Sequence, residues 1–171
     1  MVVRENHSPA QISQFVIEGL QIGQQVVAMG GARFLRELAQ DLTEHGLRAE
    51  CMLRNGRLVF LTAPSCLSTL LKPDDPLQRG PLRPSAPLLR WVSDWSWAYG
   101  NSTEPIAVLE HQRRMHEFIA SLDALSLCTV NSEVLNRNSM LVLLAEHRRA
   151  AKGGERVLRA AAGASFDGMR R

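Results

Sequence analysis

Aromatic residues are scarce in this chain of 171 residues: 5% of positions, with a single tyrosine. Cysteine is scarcer. Cys51, Cys66 and Cys128 are odd in number and far apart, with no C-x-x-C pair and no zinc spacing. That excludes a disulfide framework and predicts reduced thiols in a cytoplasmic protein. No stretch approaches the roughly 18 consecutive apolar residues that suggest a membrane span. The amino-terminal residues Met1 to His7 lack the apolar core of a secretory signal. Neither sign of charge dominates; a net charge of +3 and a pI near 9.1 permit an acidic partner without requiring one. Motifs that announce chemistry are missing too. There is no G-x-x-x-x-G-K-[ST], no complete G-x-G-x-x-G and no activated-nucleophile signature. His111 and His116 are five apart, which does not place them on one helix face as H-E-x-x-H would. These absences argue against an enzyme and imply neither a metal nor a cofactor.

What remains is an ordinary globular composition, 45% hydrophobic and 22% charged, in a chain long enough for one substantial core. Apolar periodicity alternates between helix and strand. Ser8-Pro9-Ala10-Gln11 reads as a helix start with a capping box, and Ile12, Phe15, Val16, Gly19 and Leu20 follow at helical spacing. Val26 to Met29 suits a buried parallel strand. Gly30-Gly31 then opens a helix with Phe34, Leu35, Leu38 and Leu42 inward and Gly46 at its C-terminal cap. That glycine pair fits a tight strand-to-helix turn, and it is also where a phosphate could approach a helix N-terminus. Ala49–Leu53 and Leu58–Thr62, joined through Asn55-Gly56, predict a local β-hairpin. Pro64-Ser65 predicts a brief helix as far as Leu71. Residues 72–87, with five prolines, predict an irregular loop.

The centre of the chain is Leu88 to Trp97, Leu-Leu-Arg-Trp-Val-Ser-Asp-Trp-Ser-Trp, which holds all three tryptophans. It reads as a buried strand ending at Ser93-Asp94. In an open α/β sheet the carboxyl ends of strands are where ligands sit. Asp94 would occupy that edge. Trp95 and Trp97 would supply either apolar walls or core packing. Beyond it, Tyr99 to Thr103 predicts a turn, and Val108, His111, Met115, Phe118, Ile119 and Leu122 form a helical stripe. Glu110 lies at its edge. Ala124 to Val130 predicts a strand with Cys128 as a small buried hydrophobe. Asn131 or Ser132 would cap a helix running to about His147. The sum is an α/β fold: three layers, a mostly parallel central sheet with helices on both faces, and one local hairpin.

Leu89-Arg90, two strand residues, a small residue, an acid and then Trp97 resemble the centre of the MEDS domain. This is the DcmR-type sensory domain named for methanogen and methylotroph regulators. Val108-Leu109-Glu110, and Leu127-Cys128 with His147 nineteen residues after the cysteine, match it at similar spacing. His7 matches an amino-terminal histidine, and the likeness is ordered from about His7 to Val157. The chain departs from the family in its proline-rich loop, where a helix is usual, and in Val130-Asn131, where an aromatic and an acid are usual. The resemblance implies a RecA-like fold without Walker motifs. It also implies a single sensory domain over residues 1–157 and a ligand site of Arg90, Ser93, Asp94 and Trp97, with Glu110 opposite. Such a domain would bind a small apolar or hydrocarbon-derived ligand and act through a regulatory protein partner: a kinase, a transcription regulator or a sigma-factor regulator.

Two other readings stay open. One is a degenerate nucleotide-binding, ATPase-like protein using Gly30, Gly31 and Asp94. The other is a nucleic-acid-associated regulator acting through the carboxyl-terminal tail, residues 158–171. From Glu146 onward the chain carries seven basic and three acidic residues. Phe166 is the one Phe, Tyr or Trp among those charges, too few for a series of stacking platforms.

Overall fold

A computed structural model describes residues 2–4, 10–62, 88–101, 105–122 and 124–135. The elements are β1 (Val2–Arg4), α1 (Ala10–Gln21), β2 (Val26–Gly30), α2 (Ala32–Glu44), α3 (Ala49–Arg54) and β3 (Leu58–Thr62). After them come β4 (Leu89–Asp94), α4 (Ser96–Asn101), α5 (Pro105–Ala120), β5 (Ala124–Asn131) and a 3-10 turn at Ser132–Val134. The strands form one sheet in the order β1-β5-β4-β2-β3, and every pairing is parallel.

Strand alternation divides the core into two layers. On one face Val26, Ala28, Leu58 and Val92 pack with Ile12, Val16 and Leu20 of α1, and with Phe34, Leu35, Leu38 and Leu42 of α2. On the other, Val27, Met29, Val59 and Trp91 pack with Ala98 and Tyr99 of α4 and with Val108, Met115 and Ile119 of α5. A helix layer therefore lies on each side of a parallel sheet, the three-layer arrangement expected for strands apolar on both faces. Each fully buried Leu, Val or Ile contributes about 1.5–3 kcal/mol to this sandwich.

α2 ends as its sequence implies. Gly46 takes a φ of +79°, its N–H donates to Thr43 O at 2.9 Å, and the Leu47 N–H donates to Leu42 O at 2.9 Å. The hairpin expectation is overturned. Ala49–Arg54 is α3, and Leu58–Thr62 pairs in parallel with β2 rather than antiparallel with its predecessor. Asn55-Gly56 explains the misreading. A type I′ hairpin turn needs positive φ at both central residues, whereas here Asn55 has φ −90° and only Gly56 is left-handed, at +73°. The dipeptide closes a helix instead, with the Asn55 side chain accepting the Arg57 N–H at 3.1 Å. Two smaller differences follow. Tyr99 to Asn101 belong to α4 rather than to a turn. β1 is an edge strand that the three residues Val2-Val3-Arg4 were too short to announce.

The capping residues Ser8 and Pro9, the helix expected at 64–71, the proline-rich loop, and everything from Asn136 through His147 to the basic tail lie outside the described residues. Among the described residues, no helix is long and apolar enough to cross a membrane.

Candidate functional site

β2 and β4 are neighbours in the sheet, yet the chain leaves β2 into α2 on one face and leaves β4 into α4 on the other. In open α/β sheets ligands bind at such a divergence, beyond the carboxyl ends of the strands. The residues at this point are Gly30 and Gly31 on one side and Asp94, Trp95, Ser96 and Trp97 on the other.

Asp94 ends β4 and is 2% exposed. Its Oδ1 accepts the Ser96 hydroxyl at 2.8 Å and the Thr129 hydroxyl at 3.3 Å. The Ser96 Oγ in turn accepts the backbone N–H of Asn131 at 2.8 Å. Thr129 stands level with Asp94 in the β4–β5 ladder, and its carbonyl accepts the Trp95 N–H at 2.9 Å. The carboxylate is thus oriented by hydroxyls from its own strand end and from the neighbouring strand. Buried acceptors are tolerated when satisfied in this way.

The glycines are explained by space, not by unusual torsions. A Cβ on Gly30 would come within 2.5 Å of the Phe34 ring and 3.2 Å of the Asp94 Cβ. A Cβ on Gly31 would lie 3.3 Å from the Trp97 Cβ. Gly31 is also the N-cap of α2, with an ordinary φ of −67° and no side-chain cap bond. The pair lets the start of α2 approach β4 and seats Trp97 against it.

Of the expected site residues, the structure brings together Asp94, Trp97, Gly30 and Gly31. It separates three others. Arg90 lies on the same face of β4 as Asp94 but four residues earlier, about 13 Å away along the strand. There its Nε donates to Gln24 Oε1 at 2.7 Å, and one terminal nitrogen donates to Phe15 O at 2.6 Å while lying 3.4 Å from Glu18 Oε2. Its guanidinium sits 4.7 Å from the Phe15 ring centre. Arg90 ties α1 to the sheet. Hydrogen bonds from Gln14 and then Arg90 hold the Glu18 carboxyl below its ordinary range. Ser93 points to the opposite face from Asp94 and is sealed in the interior, where its Oγ accepts the Trp91 indole N–H at 2.8 Å. Glu110 is on the exposed side of α5, 3.3 Å from Arg114 one turn on.

The tryptophans divide as well. Trp91 and Trp95 are buried, and Trp97 is half-buried, stacked on Trp95 at 6.4 Å and 22°. Packing explains the first two, and Trp97 alone of the three keeps part of its surface exposed.

The sequence pattern did not point to Ser96 or Thr129 as partners of Asp94. The Asp94-x-Ser96 spacing was a local signal for the first, since a hydroxyl two residues from an acid can reach it. Thr129 had no such signal; only strand order places it beside Asp94. A second polar group sits between α5 and β5. Tyr99 donates to Gln112 at 3.1 Å, and His116 Nε2 lies 2.9 Å from Cys128 Sγ. Burial, followed by the nearby Cys128, pushes the Tyr99 hydroxyl upward, and burial pushes the Cys128 thiol up to about 11. Both stay protonated near neutrality. Such a thiol is an inert core group rather than a nucleophile. Among the described residues, no group of three His, Cys, Asp or Glu could hold a metal ion.

Compared with known proteins, the chain matches no family model, no curated protein and no solved structure.

Proposed function

We propose that this chain is a sensory or regulatory domain of the MEDS type, a binding protein of the cytoplasm rather than an enzyme. In this reading it takes a small ligand at the β2–β4 crevice. One observation carries the reading: an oriented, buried carboxylate and a half-buried indole meet at the point where the two helix layers diverge. Asp94 supplies an acceptor of fixed direction, Trp97 an apolar wall, and Gly30-Gly31 the close approach of α2. A ligand with an apolar body and one hydrogen-bond donor fits that chemistry, and the hydrocarbon-derived ligand of the family resemblance is of this class. The signal leaves through a regulatory protein partner, with the proline-rich loop or the basic tail as the docking segment.

Thermal denaturation with a panel of short-chain alcohols tests this reading. A ligand present at ~100 times its Kd stabilises the fold by about 2.7 kcal/mol, which moves Tm by several degrees in a chain of this size. The rise is expected in the wild type and lost in Asp94→Asn and Trp97→Ala. If it persists in both variants, the site is misplaced.

A degenerate nucleotide site is favoured by one specific feature, the Gly30-Gly31 turn at the start of α2 beside Asp94. A Tm rise with ATP and none with the alcohols selects that reading.

A further inference from the structure

His111 is half-buried on α5, and its Nε2 is enclosed with no hydrogen-bond partner among the described residues. Enclosed polar atoms in native proteins ordinarily have partners, so one without calls for an explanation. The imidazole stands edge-on to Trp95, with ring centres 5.8 Å apart and planes at 68°. Trp95, 1% exposed, stacks on Trp97, and Trp97 lies against Gly31 at the start of α2. A continuous line of ring contacts therefore runs from α5, across the β4–α4 junction, to the first turn of α2.

We propose that His111 is a proton-sensitive latch: the neutral imidazole holds α5 and the Trp95–Trp97 stack on the carboxyl edge of the sheet, and the imidazolium releases them. The proposal rests on this packing, not on any ligand at Asp94.

The physical reason is a change in hydrogen-bonding demand. Neutral imidazole needs one donor and one acceptor partner, whereas imidazolium carries two N–H donors that both require acceptors or water. Among the described residues, no acceptor lies within hydrogen-bond reach of the enclosed Nε2. The groups around it do not compensate the charge. On α5, Arg114 is cationic and engaged with Glu110, and Gln112 accepts the Tyr99 hydroxyl. The junction presents the uncharged Trp95 indole, whose N–H has no hydrogen-bond partner of good geometry among the described residues. From the same layer, Tyr99 of α4 and Cys128 of β5 are kept protonated by burial, and His116 is occupied by Cys128. Burial first, and Arg114 second, lower the His111 pKa. A folded-state pKa below the unfolded value means that the contribution of His111 is complete above about 6.5 and is lost as pH falls through the lower folded value.

Intrinsic tryptophan fluorescence of the full chain, followed from about pH 8 to about pH 5, tests the latch. In parallel, the His111 ring protons are titrated by NMR, assigned by comparison with His111→Gln. The wild type is expected to show a reversible emission change with a midpoint below 6.5, coincident with the His111 titration. His111→Phe, which keeps an aromatic edge against Trp95 without a titrating group, is expected to abolish that change. A wild-type emission that stays flat over the range, an emission change that survives in His111→Phe, or a His111 midpoint at or above 6.5 overturns the proposal. Should His111→Phe fail to fold, coincidence or divergence of the two wild-type midpoints decides it.

Discussion

The two ends of β4 put opposite charges to opposite uses. At the amino end, Arg90 is bound by Gln24, the Phe15 carbonyl, Glu18 and the Phe15 ring, every one of them on α1 or the turn after it. At the carboxyl end, Asp94 is bound by hydroxyls from Ser96, at the start of α4, and from Thr129, beside it on β5. Arg90 therefore fastens a helix to the sheet. Asp94 orients a carboxylate where helices part. A charge gripped by one packed layer is structural, whereas a charge at a divergence of layers stands where ligands of open α/β sheets bind.

Substitutions sharpen the contrast. The largest effect is expected at the amino end. Arg90→Met removes two short charge-assisted bonds and leaves the Gln24 amide oxygen and the Phe15 carbonyl buried without their donor, for a loss of about 3 kcal/mol. Urea denaturation measures it, with ligand response unchanged. Gly30→Ala comes next. Its Cβ would meet the Phe34 ring at 2.5 Å, so Phe34 must move, for an overpacking cost of about 1–3 kcal/mol. The neighbouring Gly31→Ala meets only the Trp97 Cβ at 3.3 Å and is expected to cost less, below about 1 kcal/mol, with a visible shift in tryptophan emission. Equal losses at the two glycines would contradict the tight Gly30–Asp94 approach. Smallest of all, Glu110→Gln should leave stability within about 0.5 kcal/mol of wild type, because its pair with Arg114 is exposed on both sides. A larger loss would return Glu110 to the site.

The sequence made some of this legible and hid the rest for physical reasons. β2, β4, β5, α2 and α5 were readable because buried parallel strands are continuous apolar runs and amphipathic helices repeat every three or four residues. The position of Asp94 at a strand end was readable by the same rule. Asn55-Gly56 misled because left-handed glycine serves helix caps and hairpin turns alike. The family resemblance placed Arg90 in the site, and its partners, 66 and 75 residues away, leave no trace in the local pattern that could have argued otherwise. Thr129, 35 residues from Asp94, becomes a neighbour only through the β4–β5 pairing. The burial of Trp91 and Trp95 was one of two readings of the tryptophan cluster. Layer packing decides for it, while Trp97, at the edge of the same cluster, keeps the other.

The most direct measurement is the ligand-induced change in Tm, with the alcohol panel and with ATP, on wild type, Asp94→Asn and Arg90→Met side by side. The account predicts that at least one probe raises the Tm of the wild type, that Asp94→Asn loses the rise, and that Arg90→Met starts from the lowest Tm yet keeps it. No rise with any probe, or a rise that survives Asp94→Asn and disappears in Arg90→Met, would contradict it.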